Sequence, residues 1–143
     1  MGAPKKTNAC RVLDGLHIAY ELRSYEVDEE DLSTSNVANK VGLPVSQLFK
    51  TLCLRADDKS VVLAVIAGDR ELDLKALARA ARKKAVEPVA VRELQGLTGY
   101  VRGGCTALAC KKPYPVFVGA EMLGHERVSV SAGQRGLQLW LAP

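Results

Sequence analysis

Aromatic residues are scarce, with two Phe, four Tyr and one Trp among 143 residues. Val, Leu and Ala must therefore fill any core, and a stacking platform of several aromatics, a common grip on single-stranded nucleic acid, is disfavoured. Histidine is scarcer still. His17 and His125 lie far apart in the chain, neither with a partner at metal-ligand spacing, so no metal is expected. Cys10, Cys53, Cys105 and Cys110 are too few and too irregularly spaced for a secreted disulfide framework, and reduced thiols are expected. Cys105 and Cys110 fit a zinc knuckle poorly and would supply only two ligands. The longest apolar run, Val61–Ala67, has seven residues, whereas a membrane span needs about 20. The opening stretch to Lys6 has no apolar signal core, and Lys6 stands where a myristoylation pattern wants Ser or Thr. No membrane association and a cytoplasmic address are the expectation. Nucleotide loops of standard form are also missing: Gly99, Gly103 and Gly104 match neither G-x-G-x-x-G nor a P-loop.

What is present reads as a globular chain. Apolar residues make up 48% and charged residues 25%, and the length predicts one domain over 1–143. The net charge of +4 tolerates a polyanionic partner without requiring one. Helical spacing over 5–16, with Thr7 or Asn8 as cap, gives way to period-two alternation over 18–25. The acidic run from Asp28 to Asp31 reads as a solvated loop. Ser33, Thr34 or Ser35 caps a helix through Val41, with Gly42 as its left-handed stop and Pro44 opening a further turn. The apolar stretches 49–56 and 60–67, separated by Asp57-Asp58-Lys59, form an antiparallel hairpin. Asp73 caps an Ala-rich helix through Arg82, and a short helix follows over 88–95. Strand texture resumes at 99–104, 115–118, 128–130 and 137–141. About seven strands and four short helices, without strict βαβ alternation, predict an α+β fold: a mixed, barrel-like sheet with peripheral helices.

Lys50 is the most informative single residue. Alternation places it on the same strand face as Leu52, Leu54 and Ala56. Either it sits at the strand end and snorkels to water, or it stands at the mouth of a pocket where a ligand anion would meet it. Gly103-Gly104 allows close approach of backbone N–H groups to a ligand oxygen, or else forms a bulge or corner. The thiols read as small apolar filler; a cysteine nucleophile would need a base, and Cys110-Lys111-Lys112 has no local histidine.

Five separated segments, in order, carry a resemblance. They are Tyr25-Glu26, the run from Gly42 through Lys50-Thr51-Leu52, Leu72-Asp73-Leu74-Lys75, the run from Thr98 to Gly104, and Val130-Ser131-Ala132-Gly133-Gln134-Arg135-Gly136-Leu137. Together they resemble the YbaK/EbsC family, relatives of the editing domain inserted in bacterial prolyl-tRNA synthetases. The resemblance implies a trans-editing aminoacyl-tRNA deacylase, best known for clearing cysteine from tRNA(Pro), with aminoacyl-tRNA and a prolyl-tRNA synthetase as partners and no cofactor. By the same resemblance Lys50 is the essential lysine. Tyr25, Thr51, Gly103, Gly104, Thr106, Ser131 and Gly133 contact substrate. The loop after the glycine pair departs from the family pattern at Ala107, where proline is expected, and the chain departs again at Gln138, where relatives often carry an acidic side chain; both bear on amino-acid specificity.

In cysteine-specific relatives the substrate's own thiol attacks its carbonyl, so no protein nucleophile is needed. Lys50 would then position the terminal nucleotide, and backbone N–H groups near Gly103 and Gly104 would steady charge on the carbonyl oxygen. Two alternatives stay open: a deacylase for alanyl-, seryl- or threonyl-tRNA that uses a bound water, and a non-catalytic module that binds tRNA or a synthetase.

Overall fold

The computed structural model describes residues 6–143; the expected helix start at Lys5 and the first residues of the opening stretch lie outside them. The elements are α1 (Asn8–Gly15), β1 (Glu21–Ser24), α2 (Thr34–Val41), β2 (Phe49–Ala56), β3 (Val61–Ala67), α3 (Leu74–Ala81), β4 (Val86–Pro88), α4 (Val91–Thr98), β5 (Val116–Val118), β6 (Val128–Ser131) and β7 (Leu137–Leu141). Single 3-10 turns occupy Val45–Gln47 and Ala120–Gly124. No described helix is long and apolar enough to cross a membrane.

The helix caps fall where short polar side chains can take orphan N–H groups. Thr7, Ser33 and Asp73 accept from Cys10, Asn36 and Ala76. Gly42 then stops α2 in the left-handed region at φ 75°. The expected antiparallel hairpin forms as β2–β3, with Phe49 opposite Ala67 and Arg55 opposite Val61. Its turn is bonded to the chain ahead of β4: the Asp57 carboxylate accepts from the N–H groups of Lys84 and Ala85. Asp58 pairs with Lys83 at 2.6 Å.

A four-stranded sheet has the order β4-β2-β3-β5, with β3 and β5 parallel. A second, antiparallel sheet has the order β1-β7-β6. The two meet at one parallel bridge, Leu48 with Ser129. The α+β class, seven strands and four helices agree with expectation, but the sheets are open and no barrel closes. Closure requires every edge to be paired. Among the described residues β4 and β5 end one sheet, and β1 and β6 end the other.

Local corrections have definite causes. The strand expected over 18–25 shrinks to β1 because residues ahead of it stop α1: His17 is left-handed at φ 58°, and Ile18 N–H donates to Leu13 C=O at 3.0 Å. Pro88, expected to open a helix, instead ends β4 over 86–88. Pro88 is tolerated there because it lies opposite Leu54 at the end of an edge strand, where its missing donor breaks no ladder. α4 begins later and runs through Gly96 to a left-handed stop at Gly99. Residues 99–104, expected as strand, form a turn in which Gly104 N–H donates to Val101 C=O at 2.9 Å.

β3 is buried on both faces, which explains its unbroken apolar run. On one face Leu54, Ala56, Val62 and Ala64 pack with Leu77 and Ala78 of α3. On the other, Cys53 and Leu63 pack with Leu94 and Leu97 of α4. In the second sheet Leu137 and Leu139 of β7 hold Ala9, Cys10 and Leu13 of α1.

Candidate active site

β2 has an outer edge that its neighbours cover only in part. β4 pairs with Leu54, Arg55 and Ala56, and the backbone of β6 bridges only to Leu48, the residue ahead of the strand. Val89 N–H reaches Cys53 C=O just past the end of β4. A cavity of about 480 Å³ opens along the residues between, bordered by the start of α2, the 99–104 turn and the ends of β6 and β7.

Lys50, Thr51, Gly103 and Ser131 line this cavity, so four of the eight expected site residues are brought together. Lys50 is half-buried on the face shared with Leu54 and Ala56. Its ammonium has no hydrogen-bond or ion-pair partner among the described residues, where the ion pairs are Lys6–Asp14, Arg23–Glu21 and Lys83–Asp58. Ser131 ends β6, and its Oγ accepts from Gly133 N–H at 3.1 Å. Gly103 is in the left-handed region at φ 87°, a conformation that glycine adopts without steric cost.

The other four stand behind the lining. Tyr25 packs beside Val37 and Leu48, which do face the cavity, and its N–H donates to Gly136 C=O. Gly104 is buried against the 134–135 backbone; a Cβ there would lie 3.0 Å from Gln134 Cα and 3.1 Å from Arg135 N. Thr106 is 1% exposed, and its Oγ1 accepts from Leu108 N–H at 3.4 Å. Gly133 has φ 104°, and a Cβ would lie 3.0 Å from Tyr100 Cε1. Tyr100 in turn donates its hydroxyl to Leu108 C=O at 2.6 Å. The glycines thus bring two turns and a tyrosine into contact.

Arg102, Cys105 and Gln138 are also among the residues that line the cavity. Gln138 is 4% exposed, and its Oε1 accepts from Ser129 Oγ at 2.9 Å. Arg102 escaped sequence reasoning although it adjoins the glycine pair; the signal was a cation directly preceding a flexible turn. Ala107 instead packs beside Phe49 and Cys53 in the clusters behind the cavity. Of the two departures from the family pattern, only Gln138 is among the lining residues.

Burial favours the protonated form of Cys53, Cys105 and Cys110. Burial pushes Cys105 up to about 12 and Cys53 up to about 11, and it raises Cys110 as well. Since the thiolate is the nucleophile, these groups are poorly suited to attack near neutral pH. No group of three His, Cys, Asp or Glu among the described residues could hold a metal ion.

A model of the aminoacyl-tRNA editing domain matches residues 29–143. The chain belongs to the aminoacyl-tRNA editing domain family. Within that family, EbsC of Enterococcus faecalis, described as a candidate Cys-tRNA(Pro)/Cys-tRNA(Cys) deacylase, is 39% identical over 139 residues, covering 97% of this chain and 85% of EbsC. A proline–tRNA ligase of Sulfurihydrogenibium is 38% identical over 65 residues, 46% of this chain but 12% of the ligase. The fold of this editing domain is shared with solved structures at low identity. One, of a hypothetical protein, has a TM-score of 0.87 at 22% identity and covers 96% of this chain and 89% of its own. Another, of a candidate trans-editing enzyme for prolyl-tRNA synthetase, has a TM-score of 0.77 at 22% identity, covering 98% and 89%.

The thiol environment has a measurable consequence. In the folded protein at pH 8, Cys53 and Cys105 should react with iodoacetamide at least about 100-fold more slowly than a free cysteine, and they should approach its rate once denatured. Mass spectrometry of timed samples reads this directly. Rapid labelling of Cys105 in the folded state would contradict it.

Proposed function

We propose that this chain, acting over 1–143 as one catalytic unit, is a trans-editing aminoacyl-tRNA deacylase that clears cysteine from tRNA(Pro). The observation that carries the proposal is the cavity at Lys50: an ammonium without a counter-ion, in a lining with no Asp, Glu or His. The likeness to EbsC across most of both chains supports the cysteinyl substrate. The partial likeness to a proline–tRNA ligase supports tRNA(Pro), and a prolyl-tRNA synthetase as the enzyme whose errors are corrected.

The reaction is cleavage of the ester between the aminoacyl group and the terminal ribose. Lys50 holds the 3′-terminal nucleotide through phosphate or ribose oxygens. The substrate sulfur attacks the ester carbonyl, and the backbone N–H of Gly103, which lines the cavity, steadies the negative charge on its oxygen. The carbon–oxygen bond to ribose then breaks, the thiol proton ends on the ribose oxygen, and a cyclic thiolactone leaves. The shielded protein thiols support this assignment, because Cys53 and Cys105 are protonated spectators. Thr51 and Ser131 form the polar wall around the aminoacyl group. Tyr25, Thr106, Gly104 and Gly133 act through the lining that they buttress. Editing of this kind is needed because a binding pocket distinguishes side chains that differ by one methylene by only about 1–3 kcal/mol.

Lys50→Ala should remain folded and lose deacylation. A charged hydrogen bond is worth about 1.5–3 kcal/mol, or roughly 10- to 150-fold in rate, and more if it also orients the ester. Single-turnover deacylation with a melting curve as the folding control tests this; wild-type rates in the folded variant would remove Lys50 from the mechanism.

Gln138 favours a second reading, in which a pocket-held water attacks alanyl- or seryl-tRNA. Its neutral amide can face an uncharged side chain as readily as a thiol. Initial rates on Cys-, Ala-, Ser- and Pro-tRNA(Pro) at equal concentration separate the two. Cysteine should be cleared fastest, alanine and serine slowly, and proline spared. Alanine or serine cleared at least as fast as cysteine would select the water-dependent reading.

A further inference from the structure

Lys50 shares its cavity with a second cation. Arg102 lines the same space and is itself exposed, whereas Lys50 is half-buried, so one charge sits within the cavity and the other at its rim. The Arg102 guanidinium, like the Lys50 ammonium, has no hydrogen-bond or ion-pair partner among the described residues. Its backbone, by contrast, is fixed. Arg102 C=O accepts from Arg135 Nε at 2.7 Å, and the Val101 C=O beside it accepts from Gly104 N–H at 2.9 Å. The Arg135 side chain also lies against Gly103, where a Cβ would come within 3.4 Å of Nε. A rigid turn therefore presents an exposed guanidinium to a cavity that contains no acidic group.

The chemistry of the substrate decides what such a pair of cations can meet. In an aminoacyl ester the amino acid's carboxylate is consumed by the bond, and the remaining charge on that moiety is the α-ammonium, which both cations repel. The anions available are the phosphodiesters of the nucleotides leading to the ester. A guanidinium suits that target, because its fixed donors match two phosphate oxygens at once.

Resting on the deacylase reading above, we propose that Arg102 binds a phosphodiester of the single-stranded 3′ end of the RNA, outside the contact made by Lys50. Arg135 is the positioning residue that holds the Arg102 backbone. Two charges at different depths fix both the direction and the reach of the strand, so that the ester lies between Thr51 and the 103–104 turn. Neutral groups are then left to read the aminoacyl moiety.

The test uses Arg102→Gln and an uncharged RNA hairpin with an acceptor-stem duplex and a CCA end. The variant should bind the hairpin about 10-fold more weakly. Its plot of log affinity against log salt should be shallower by about 0.7, the loss of one single-strand phosphate contact. A purely structural role would not move that slope, and Arg102→Lys should restore most of it. With aminoacylated RNA the variant should lose about 10-fold in kcat/KM, and several-fold less with 3′-O-cysteinyl-adenosine, which has no phosphate. Unchanged hairpin affinity and slope would overturn the proposal, as would an equal loss on both substrates or a wild-type protein that does not bind the hairpin. If hairpin binding depends on Arg102 while the wild type leaves every ester intact, the deacylase reading falls and the phosphate contact stands.

Discussion

An incomplete strand edge organises the site. β2 is paired along β3, yet on its outer side β4 pairs only from Leu54 to Ala56 and the backbone of β6 bridges only to Leu48, just ahead of the strand. A fully paired strand would leave no room for a ligand, and a fully exposed edge would invite another chain. Here the gap is covered by α2, the 99–104 turn and the ends of β6 and β7, and the result is a cavity walled partly by strand backbone. Lys50 is tolerated on an otherwise apolar face because this gap gives its ammonium access to solvent and ligand.

The other constraint is the close packing of two turns. Gly104 lets the 103–104 backbone lie against 134–135, and Gly133 makes room for the Tyr100 ring. Arg135 Nε donates to Arg102 C=O across this junction, and the Tyr100 hydroxyl donates to Leu108 C=O beside it. The Gly103 N–H invoked for the oxyanion thus sits on a turn braced from several sides, the Gly104 N–H itself being bonded to Val101 C=O. Preorganised donors of this kind need no rearrangement when charge develops on the carbonyl oxygen.

Local signals in the sequence were strong where one interaction decided the structure. Ser33, Gly42 and Asp73 bound their helices as expected, and the Val/Leu-rich runs at 49–56 and 60–67 became the hairpin. They failed where distant pairing decided. Val86, Glu87 and Pro88 are strand only because β2 offers them an edge, and 99–104 is a turn only because its glycines serve packing. Barrel closure was illegible for the same reason, since it depends on edges that no local pattern encodes. At the site, Lys50 could be singled out from alternation alone, whereas the separation of Thr51 and Ser131 in the lining from Tyr25 and Thr106 behind it required the tertiary arrangement. Gln138 looked like a simple departure from a family pattern; in place it is a buried amide bonded to Ser129 on the cavity wall.

The account divides the work between protein and substrate: the protein supplies position, charge and a largely apolar wall, while the substrate supplies the nucleophile. The most direct measurement compares cysteinyl-tRNA(Pro) with the same tRNA carrying 2-aminobutyrate, in which a methyl group replaces the thiol at nearly equal size. Under single-turnover conditions the cysteinyl ester should be cleared at least about 100-fold faster, since an internal nucleophile held at its carbonyl has a very high effective concentration. Equal rates for the two esters would contradict the account and assign the attack to water.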